Sequence, residues 1–198
     1  MDEAHGAHFY FNKNMPVGAL KGGADAAVMS VHKTLGALSA SALINVSKNS
    51  RLSASKVKDS YHLLNTTSPS PLLLADVESC VRVLKKEGGV IIDRAITLNR
   101  KLRDSISKLP SVVIGEFAGF KADPTKTVIK IKGITGHELS DILDTMRINV
   151  EKSTQRCIVV TTHINITEED VDLLISAIET IAREHGVSDD SLLSIEDH

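Results

Sequence analysis

The chain has 198 residues, a length that fits one domain, or one domain with a small second one. Its 42% hydrophobic and 24% charged residues are ordinary for a globular protein. A net charge of −2, an aromatic content of 3% and the absence of a basic stripe argue against a nucleic-acid surface. The sequence also shows no membrane-spanning run, no secretory leader and no cysteine pattern typical of a disulfide framework. We therefore expect a cytoplasmic protein that binds neither membrane nor nucleic acid.

The first part of the chain alternates short strands with helices. Met1 and Asp2 look like the last step of a strand. Hydrophobic periodicity and the positions of glycine and proline predict the elements that follow. These are a short helix at 17–21, strands at 26–30 and 41–46, a helix from 53 to about 64, and two helices at 72–86 and 90–109 separated by Gly88 and Gly89.

The pattern changes near Pro110. We predict strands at 112–117, 127–132, 148–151 and 157–162, and a helix at 136–146 that Thr135 and Glu138 open with a capping box. A last helix runs from 167 to about 185. This order indicates an α/β fold with the C-terminal part of a large domain at 1–110, a small α+β domain at 111–186 and an acidic flexible tail at 187–198.

Two residues near the start carry most of the chemical information. Lys33 lies in the turn sequence SVHKTLG, where a lysine amine can form a Schiff base with an aldehyde. Asp2 lies upstream at a strand end, where a carboxylate can hold a pyridine nitrogen protonated. These are the two protein groups that pyridoxal phosphate chemistry needs most.

Four stretches of the sequence resemble the Orn/Lys/Arg decarboxylase family, pyridoxal-phosphate enzymes of the aspartate-aminotransferase fold. They are DEAHGAHF at 2–9, the segment from GAD to SVHKTLGAL at 23–38, NTTSPSPLLLA at 65–75 and INVEKST at 148–154. The resemblance implies the C-terminal part of a cofactor-binding large domain, with a mostly parallel sheet and helices, followed by the small α+β domain. It also implies a lyase that decarboxylates lysine, ornithine or arginine to a polyamine precursor, without selecting one of the three.

The resemblance assigns four residues to the cofactor ring and its aldehyde. Lys33 would form the Schiff base, and Asp2 would pair with the pyridinium nitrogen. Ala4 would lie against one face of the ring, and His5 would stand near the ring hydroxyl.

Four more residues are assigned to the phosphate and the substrate. Ser30 and His32 resemble the family's phosphate contacts beside the lysine. Thr66 resembles a phosphate contact donated across a dimer interface. A carboxylate at Glu151 could receive the distal cation of a diamino acid substrate. No metal ion is implied.

The part of the family that this sequence resembles begins well inside the family's large domain. The part expected before Asp2 would hold the main phosphate-binding loop and the group that stacks on the other ring face. No Gly-rich loop elsewhere in the sequence replaces them. We therefore expect a truncated chain that forms a homo-oligomer, such as a dimer, or that works with a chain supplying the N-terminal half.

Two other interpretations stay open. Another pyridoxal-phosphate enzyme of this fold, such as an oxoamine synthase, shares Asp-x-x-His and the later lysine. A non-catalytic fragment that serves as a dimerisation partner is the third. The DEAH string of helicases is discarded because no upstream phosphate loop exists here. A metal site from Asp2, His5 and His8 is disfavoured because it would leave the Lys33 motif unexplained.

Overall fold

The computed structural model describes residues 1–65, 68–115 and 119–187. The helices in these ranges are a 3₁₀ helix at Ala7–Phe11, α1 (Val31–Thr34), α2 (Ala54–Leu64), α3 (Pro71–Ile106), α4 (Gly136–Thr145) and α5 (Glu168–His185). The strands are β1 (Ala26–Ser30), β2 (Ala42–Val46), β3 (Val112–Ile114), β4 (Lys126–Ile131), β5 (Lys152–Ser153) and β6 (Ile158–Thr161). Within the described ranges, no helix is long and apolar enough to cross a membrane.

The chain divides into two compact units, Met1–Arg94 and Ala95–His198. The division falls inside α3. The domain boundary predicted at residue 110 and the flexible tail predicted at 187–198 both stay predictions.

The first unit is built on β1 and β2, which form an antiparallel ladder with Ser30 opposite Ala42. Asp2 adds a parallel bridge to Val28. The mixed α/β character is as expected, but within the described residues of this unit only that bridge is parallel. The buried side chains that pack together in this unit are Ala7, Ala27, Met29, Val31, Leu35, Ala37 and Leu84.

The second unit is a four-stranded antiparallel sheet in the order β3-β4-β6-β5. The strand predicted at 127–132 is present as β4, in which Thr127, Ile129 and Ile131 are buried and the residues between them are half-buried. The last turns of α3 and the inner faces of α4 and α5 complete its core. This unit therefore has an apolar centre of its own.

The helix starts of the second unit are confirmed in detail. The hydroxyl of Thr135 accepts a hydrogen bond from Glu138 N–H at 3.1 Å, and the carboxylate of Glu138 accepts one from Thr135 N–H at 2.7 Å. Thr167 and Asp170 form the same reciprocal arrangement at the start of α5. Each box satisfies backbone donors that a helix start would otherwise leave without a partner.

The predicted break between two helices at Gly88 and Gly89 is wrong, because α3 continues through both glycines. A Cβ on Gly88 would lie 2.9 Å from the Cβ of Phe11, so the glycine lets the 3₁₀ helix approach α3 closely. Asn12 Nδ2 donates to Gly89 O and to Asp93 Oδ1, both at 2.9 Å. These tertiary contacts support a helix whose local sequence favours an interruption.

The short helix predicted at 17–21 is also wrong, because this segment forms turns. The N–H of Ala19 donates to Glu3 Oε1 at 2.7 Å, and that of Leu20 donates to the hydroxyl of Tyr10 at 3.2 Å. Side chains from outside the segment thus hold these two residues in a turn. Gly23, with φ of 97°, then turns the chain into β1.

The strand predicted at 148–151 begins later, at Lys152. Arg147 has φ of 61°, and Ile148 N–H bonds back to Leu143 O at 3.0 Å, so these residues close the end of α4. The strand predicted at 112–117 is present as β3. Residues 116 and 117 lie outside the described ranges.

The two glycines of α3 offer a matched test of the helix packing. At Gly89, apart from the adjacent residues and the backbone of the helix itself, no heavy atom of the described residues lies within 4 Å of an added Cβ. We expect Gly89→Ala to raise the free energy of unfolding by up to about 1 kcal/mol, because alanine is the better helix former. The free energy of unfolding of Gly88→Ala should be at least about 1 kcal/mol lower than that of Gly89→Ala, because Phe11 must move. Chemical denaturation followed by circular dichroism measures both, and equal gains would contradict the packing of Phe11 on α3.

The capping box of α5 predicts that removal of the Thr167 hydroxyl lowers the free energy of unfolding by an amount that depends on pH. Thr167→Ala removes a hydroxyl that accepts from Asp170 N–H at 3.1 Å and donates to Asp170 Oδ2 at 2.8 Å. We expect it to lower the free energy of unfolding by about 1 kcal/mol at neutral pH, and Thr167→Ser to cost much less.

The acid dependence follows from Asp170. Hydrogen bonds from the backbone and then the side chain of Thr167 lower the pKa of Asp170 from its ordinary value of 3.8. A depressed pKa stabilises the fold above the unfolded-state value, and that stabilisation is lost as the pH falls below 3.8 through the lowered pKa. The difference in stability between wild type and Thr167→Ala should therefore be smaller at acidic pH than at neutral pH. It should not vanish, because the bond from Asp170 N–H to the Thr167 hydroxyl does not depend on the charge of the carboxylate. A cost independent of pH would argue against the Asp170 contact.

Candidate functional site

The start of the chain runs parallel to β1. Glu3 N–H donates to Val28 O at 2.9 Å, and Ser30 N–H donates to Ala4 O at 3.3 Å. Because parallel segments end at the same edge, residues 2–5 and the turn after Ser30 meet there. The two motifs that the sequence analysis selected are therefore brought to one place.

Lys33 and His5 face each other at this edge. Lys33 lies on the single turn of α1, and its side chain is exposed. Lys33 Nζ lies 3.4 Å from His5 Nε2, although the two residues are 28 positions apart. An amine next to an imidazole nitrogen can pass a proton to it and become a nucleophile. This contact joins the DEAHGAHF and SVHKTLG motifs.

His32 is fixed by the strand that follows the turn. Its Nδ1 lies 2.8 Å from the carbonyl oxygen of Ser41, which also accepts from Val31 N–H at 3.1 Å. A carbonyl oxygen can only accept, so Nδ1 carries the hydrogen and Nε2 is the acceptor in the neutral ring. His32 could donate to a phosphate through Nε2 only as an imidazolium.

The two oxygens of the Asp2 carboxylate have different surroundings. Its Oδ1 accepts a hydrogen bond from Ala4 N–H at 2.9 Å, which fixes the local turn. The side chain is exposed, which leaves Oδ2 accessible to a ligand. Ser30, the residue before α1, makes no side-chain cap bond to that helix. Its hydroxyl is therefore not used at the helix start.

Other predicted site residues lie elsewhere. Thr66 falls outside the described residues. Glu151 belongs to the second unit, where its N–H donates to Val159 O at 3.0 Å and its side chain is exposed. Their roles stay predictions. Across the described ranges, no group of three His, Cys, Asp or Glu residues is arranged to hold a metal ion. His8 is buried and its ring lies 4.8 Å from that of Phe9.

Sequence reasoning missed the residues that support this edge. Glu3 lies between the two predicted ring contacts, and its carboxylate accepts from Tyr10 and Ala19. Ser41 supplies the carbonyl that orients His32. The position of Glu3 inside the DEAH motif was a signal, but the partners of a carboxylate cannot be determined from that motif. Nothing in the sequence distinguishes the carbonyl of Ser41.

Comparison with known proteins identifies related chains. The family described as Orn/Lys/Arg decarboxylase, major domain, matches residues 1–118. The arginine decarboxylase of Halalkalibacterium halodurans is 34% identical over 206 aligned positions, which cover 98% of this chain and 42% of that protein. The arginine decarboxylase of Bacillus cereus is 35% identical, covering 92% of this chain and 41% of the relative. The chain thus spans about two fifths of these relatives.

Solved structures show the same fold. A lysine decarboxylase of Francisella novicida aligns with a TM-score of 0.69 and 21% identity over 80% of this chain and 28% of that one. A NifS-like protein from Rickettsia africae aligns with a TM-score of 0.70 and 18% identity over 92% of this chain and 52% of that one. The fold class implied by the sequence is confirmed. With the family match covering more than half of its length, the chain belongs to the Orn/Lys/Arg decarboxylase family.

Proposed function

We propose that this chain carries the lysine-bearing part of a pyridoxal-phosphate site that decarboxylates a basic amino acid. The contact between Lys33 Nζ and His5 Nε2 carries the proposal, because it joins a nucleophile to a proton acceptor at the end of a strand. In support, both residues lie within the stretch 1–118 that matches the family model of the major domain.

The residues at this edge fit the cofactor. Pyridoxal phosphate, when bound, supplies an aldehyde that reacts with amines and a ring that accepts electrons. The exposed amine of Lys33 suits the aldehyde, and the exposed carboxylate of Asp2 suits the ring nitrogen. Ala4 offers a methyl side chain beside a flat ring. The Ser30 hydroxyl, not used as a helix cap, suits a phosphate oxygen.

Each side chain then has a definite task. Lys33 must lose a proton before its amine can attack a carbonyl carbon, and His5 Nε2 is 3.4 Å away to receive it. Asp2 would stabilise a positive charge on the ring nitrogen by its own negative charge. His32 stays in one tautomer because Ser41 O holds its Nδ1 hydrogen.

The substrate class is a basic amino acid, with arginine as the first to test. Support comes from the two curated relatives named arginine decarboxylase. Removal of the carboxyl group as CO₂ would convert arginine to agmatine, or lysine or ornithine to a diamine, which are polyamine precursors. Glu151 would bind the distal cation, and Thr66 would bind phosphate across a dimer interface. A cytoplasmic location and a homo-oligomer, or a partner chain that supplies the N-terminal half, complete this proposal.

The decisive experiment locates the cofactor on the chain. The purified protein is incubated with pyridoxal phosphate, reduced with borohydride and digested, and the modified peptide is identified by mass spectrometry. We expect the pyridoxyl group on Lys33, with loss of that label in Lys33→Arg. Lys48→Arg, which changes an exposed lysine between other elements, should leave the label unchanged. Labelling spread equally over many lysines would instead favour a non-catalytic fragment.

A second variant tests the ring contact. Asp2→Asn keeps an oxygen for the Ala4 N–H but removes the negative charge. We expect the dissociation constant for pyridoxal phosphate to rise about tenfold or more, because a hydrogen bond to a charged group is lost. An absorbance titration measures the constant, and Asp59→Asn on exposed α2 is the control. Unchanged affinity in Asp2→Asn would remove Asp2 from the site.

Product assays then distinguish the enzymes of this fold. Arginine, lysine and ornithine are tested for release of CO₂, with the amine product identified. An oxoamine synthase would release no such amine. A normal enzymatic rate from the isolated chain would contradict the expectation that a partner contributes to the site.

A further inference from the structure

The Glu3 carboxylate binds two segments that lie away from the lysine. Tyr10 donates its hydroxyl hydrogen to Glu3 Oε2 at 2.8 Å, and Ala19 N–H donates to Glu3 Oε1 at 2.7 Å. Tyr10 also accepts from Leu20 N–H at 3.2 Å. Glu3, Tyr10, Ala19 and Leu20 therefore form one closed set of hydrogen bonds, which we call the Glu3 clamp.

The surrounding backbone is shaped to admit the clamp. A Cβ on Gly18 would collide with the Tyr10 ring, and a Cβ on Gly6 would lie 2.5 Å from Glu3 Cγ. Both glycines therefore allow close contact with the side chains that form it. Lys21 Nζ lies 5.9 Å from the centre of the Tyr10 ring. Glu3 and Tyr10 are both half-buried, so solvent competes little for their hydrogen bond.

The clamp is attached directly to the segment that bears the site. Glu3 lies between Asp2 and Ala4, and its own N–H is bonded to Val28 O on β1. Its carbonyl oxygen accepts from Gly6 N–H at 2.9 Å, which closes the turn that contains His5. The Glu3 side chain therefore acts on the same stretch of backbone that carries Asp2 and His5.

We propose that Glu3 is a positioning residue: its carboxylate ties Tyr10 and Ala19 to the strand end and so fixes where Asp2 and His5 stand relative to Lys33. The inference rests on the proposed cofactor site. Glu3 itself acts through its neighbours, since the contacts of its carboxylate are with the clamp.

The electrostatics of Tyr10 agree with this arrangement. Burial raises the pKa of the Tyr10 phenol, and the Glu3 carboxylate beside it raises that pKa further, while the Leu20 N–H opposes the shift. Tyr10 thus keeps its proton and remains a donor to Glu3. Deprotonation would place two negative charges 2.8 Å apart.

Two variants remove the charged hydrogen bond between Tyr10 and Glu3 from opposite sides. Glu3→Gln keeps one oxygen for Ala19 N–H but replaces the charged acceptor with an amide nitrogen, from which the Tyr10 oxygen can only accept. Tyr10→Phe keeps the ring and removes the hydroxyl. Tyr61→Phe, on α2, is the matched control. Circular dichroism verifies folding, and Tyr10→Phe provides the test if Glu3→Gln does not fold.

The first measurement needs no cofactor. Amide hydrogen exchange should accelerate at Leu20 in Tyr10→Phe, which removes its acceptor, and at Ala19 in Glu3→Gln, which replaces its charged acceptor with a neutral one. Exchange at both amides should stay unchanged in Tyr61→Phe. Ultraviolet titration should show a lower phenol pKa for Tyr10 in Glu3→Gln than in wild type, because the neighbouring negative charge is gone. Unchanged exchange would show that the clamp does not exist in solution and would overturn the proposal.

The second measurement separates positioning from simple stability. We expect pyridoxal phosphate to bind about tenfold more weakly in each variant, the order expected for one hydrogen bond to a charged group. We also expect the pH midpoint of the bound cofactor's visible absorbance to shift, because Asp2 and His5 have moved. The double variant should resemble either single variant, since both remove one interaction.

The outcomes are distinct. In one outcome, wild type is labelled at Lys33 and exchange accelerates in the variants, but both variants match wild type in cofactor affinity and pH midpoint. Glu3 is then only structural, and the inference fails while the proposed function stands. If wild type takes up no cofactor at Lys33, the proposed function fails, and this inference fails with it. Weaker binding with a shifted midpoint, and label still on Lys33 at saturation, supports both.

Discussion

Three backbone hydrogen bonds that hold the start of the chain parallel to β1 are the constraint on which the candidate site depends. They join Val28 and Ser30 on β1 to Met1, Glu3 and Ala4. Parallel pairing sends both segments out at the same edge, so that the DEAH stretch meets the turn that carries the lysine. The contact of Lys33 with His5 follows from this pairing. The antiparallel ladder of β1 and β2 alone would not produce this contact, because β2 carries neither the lysine nor the histidine.

The position of the lysine is further restricted from its other side. α1 is a single turn of four residues, too short to be stable by itself. It is held because Ser41 O accepts from both Val31 N–H and the ring of His32. The exposed amine of Lys33 therefore projects from a fixed backbone. A reactive side chain on a rigid support is the arrangement that catalytic sites require.

The two compact units contribute in different ways. The first contains the lysine edge and relies on close approaches at glycines, such as Gly18 against Tyr10 and Gly88 against Phe11. The second has a regular alternating sheet and helices closed by capping boxes. The family match at 1–118 covers all of the first unit and enters the second. The proposed site thus lies in the unit with the less regular backbone, where irregular turns bring distant side chains together.

The sequence by itself determined the features that local physics controls. The alternation of β4 and the capping box at Thr135 follow from short-range patterns. The roles of Lys33 and Asp2 are expectations from motif resemblance and stay predictions. Only the tertiary structure decided that α3 continues through Gly88, because the contact with Phe11 outweighs local propensity. It also decided the pairing of His5 with Lys33 and the partners of the Glu3 carboxylate. Such contacts join residues far apart in the chain, and their geometry is set by strand pairing and packing, which no local pattern specifies.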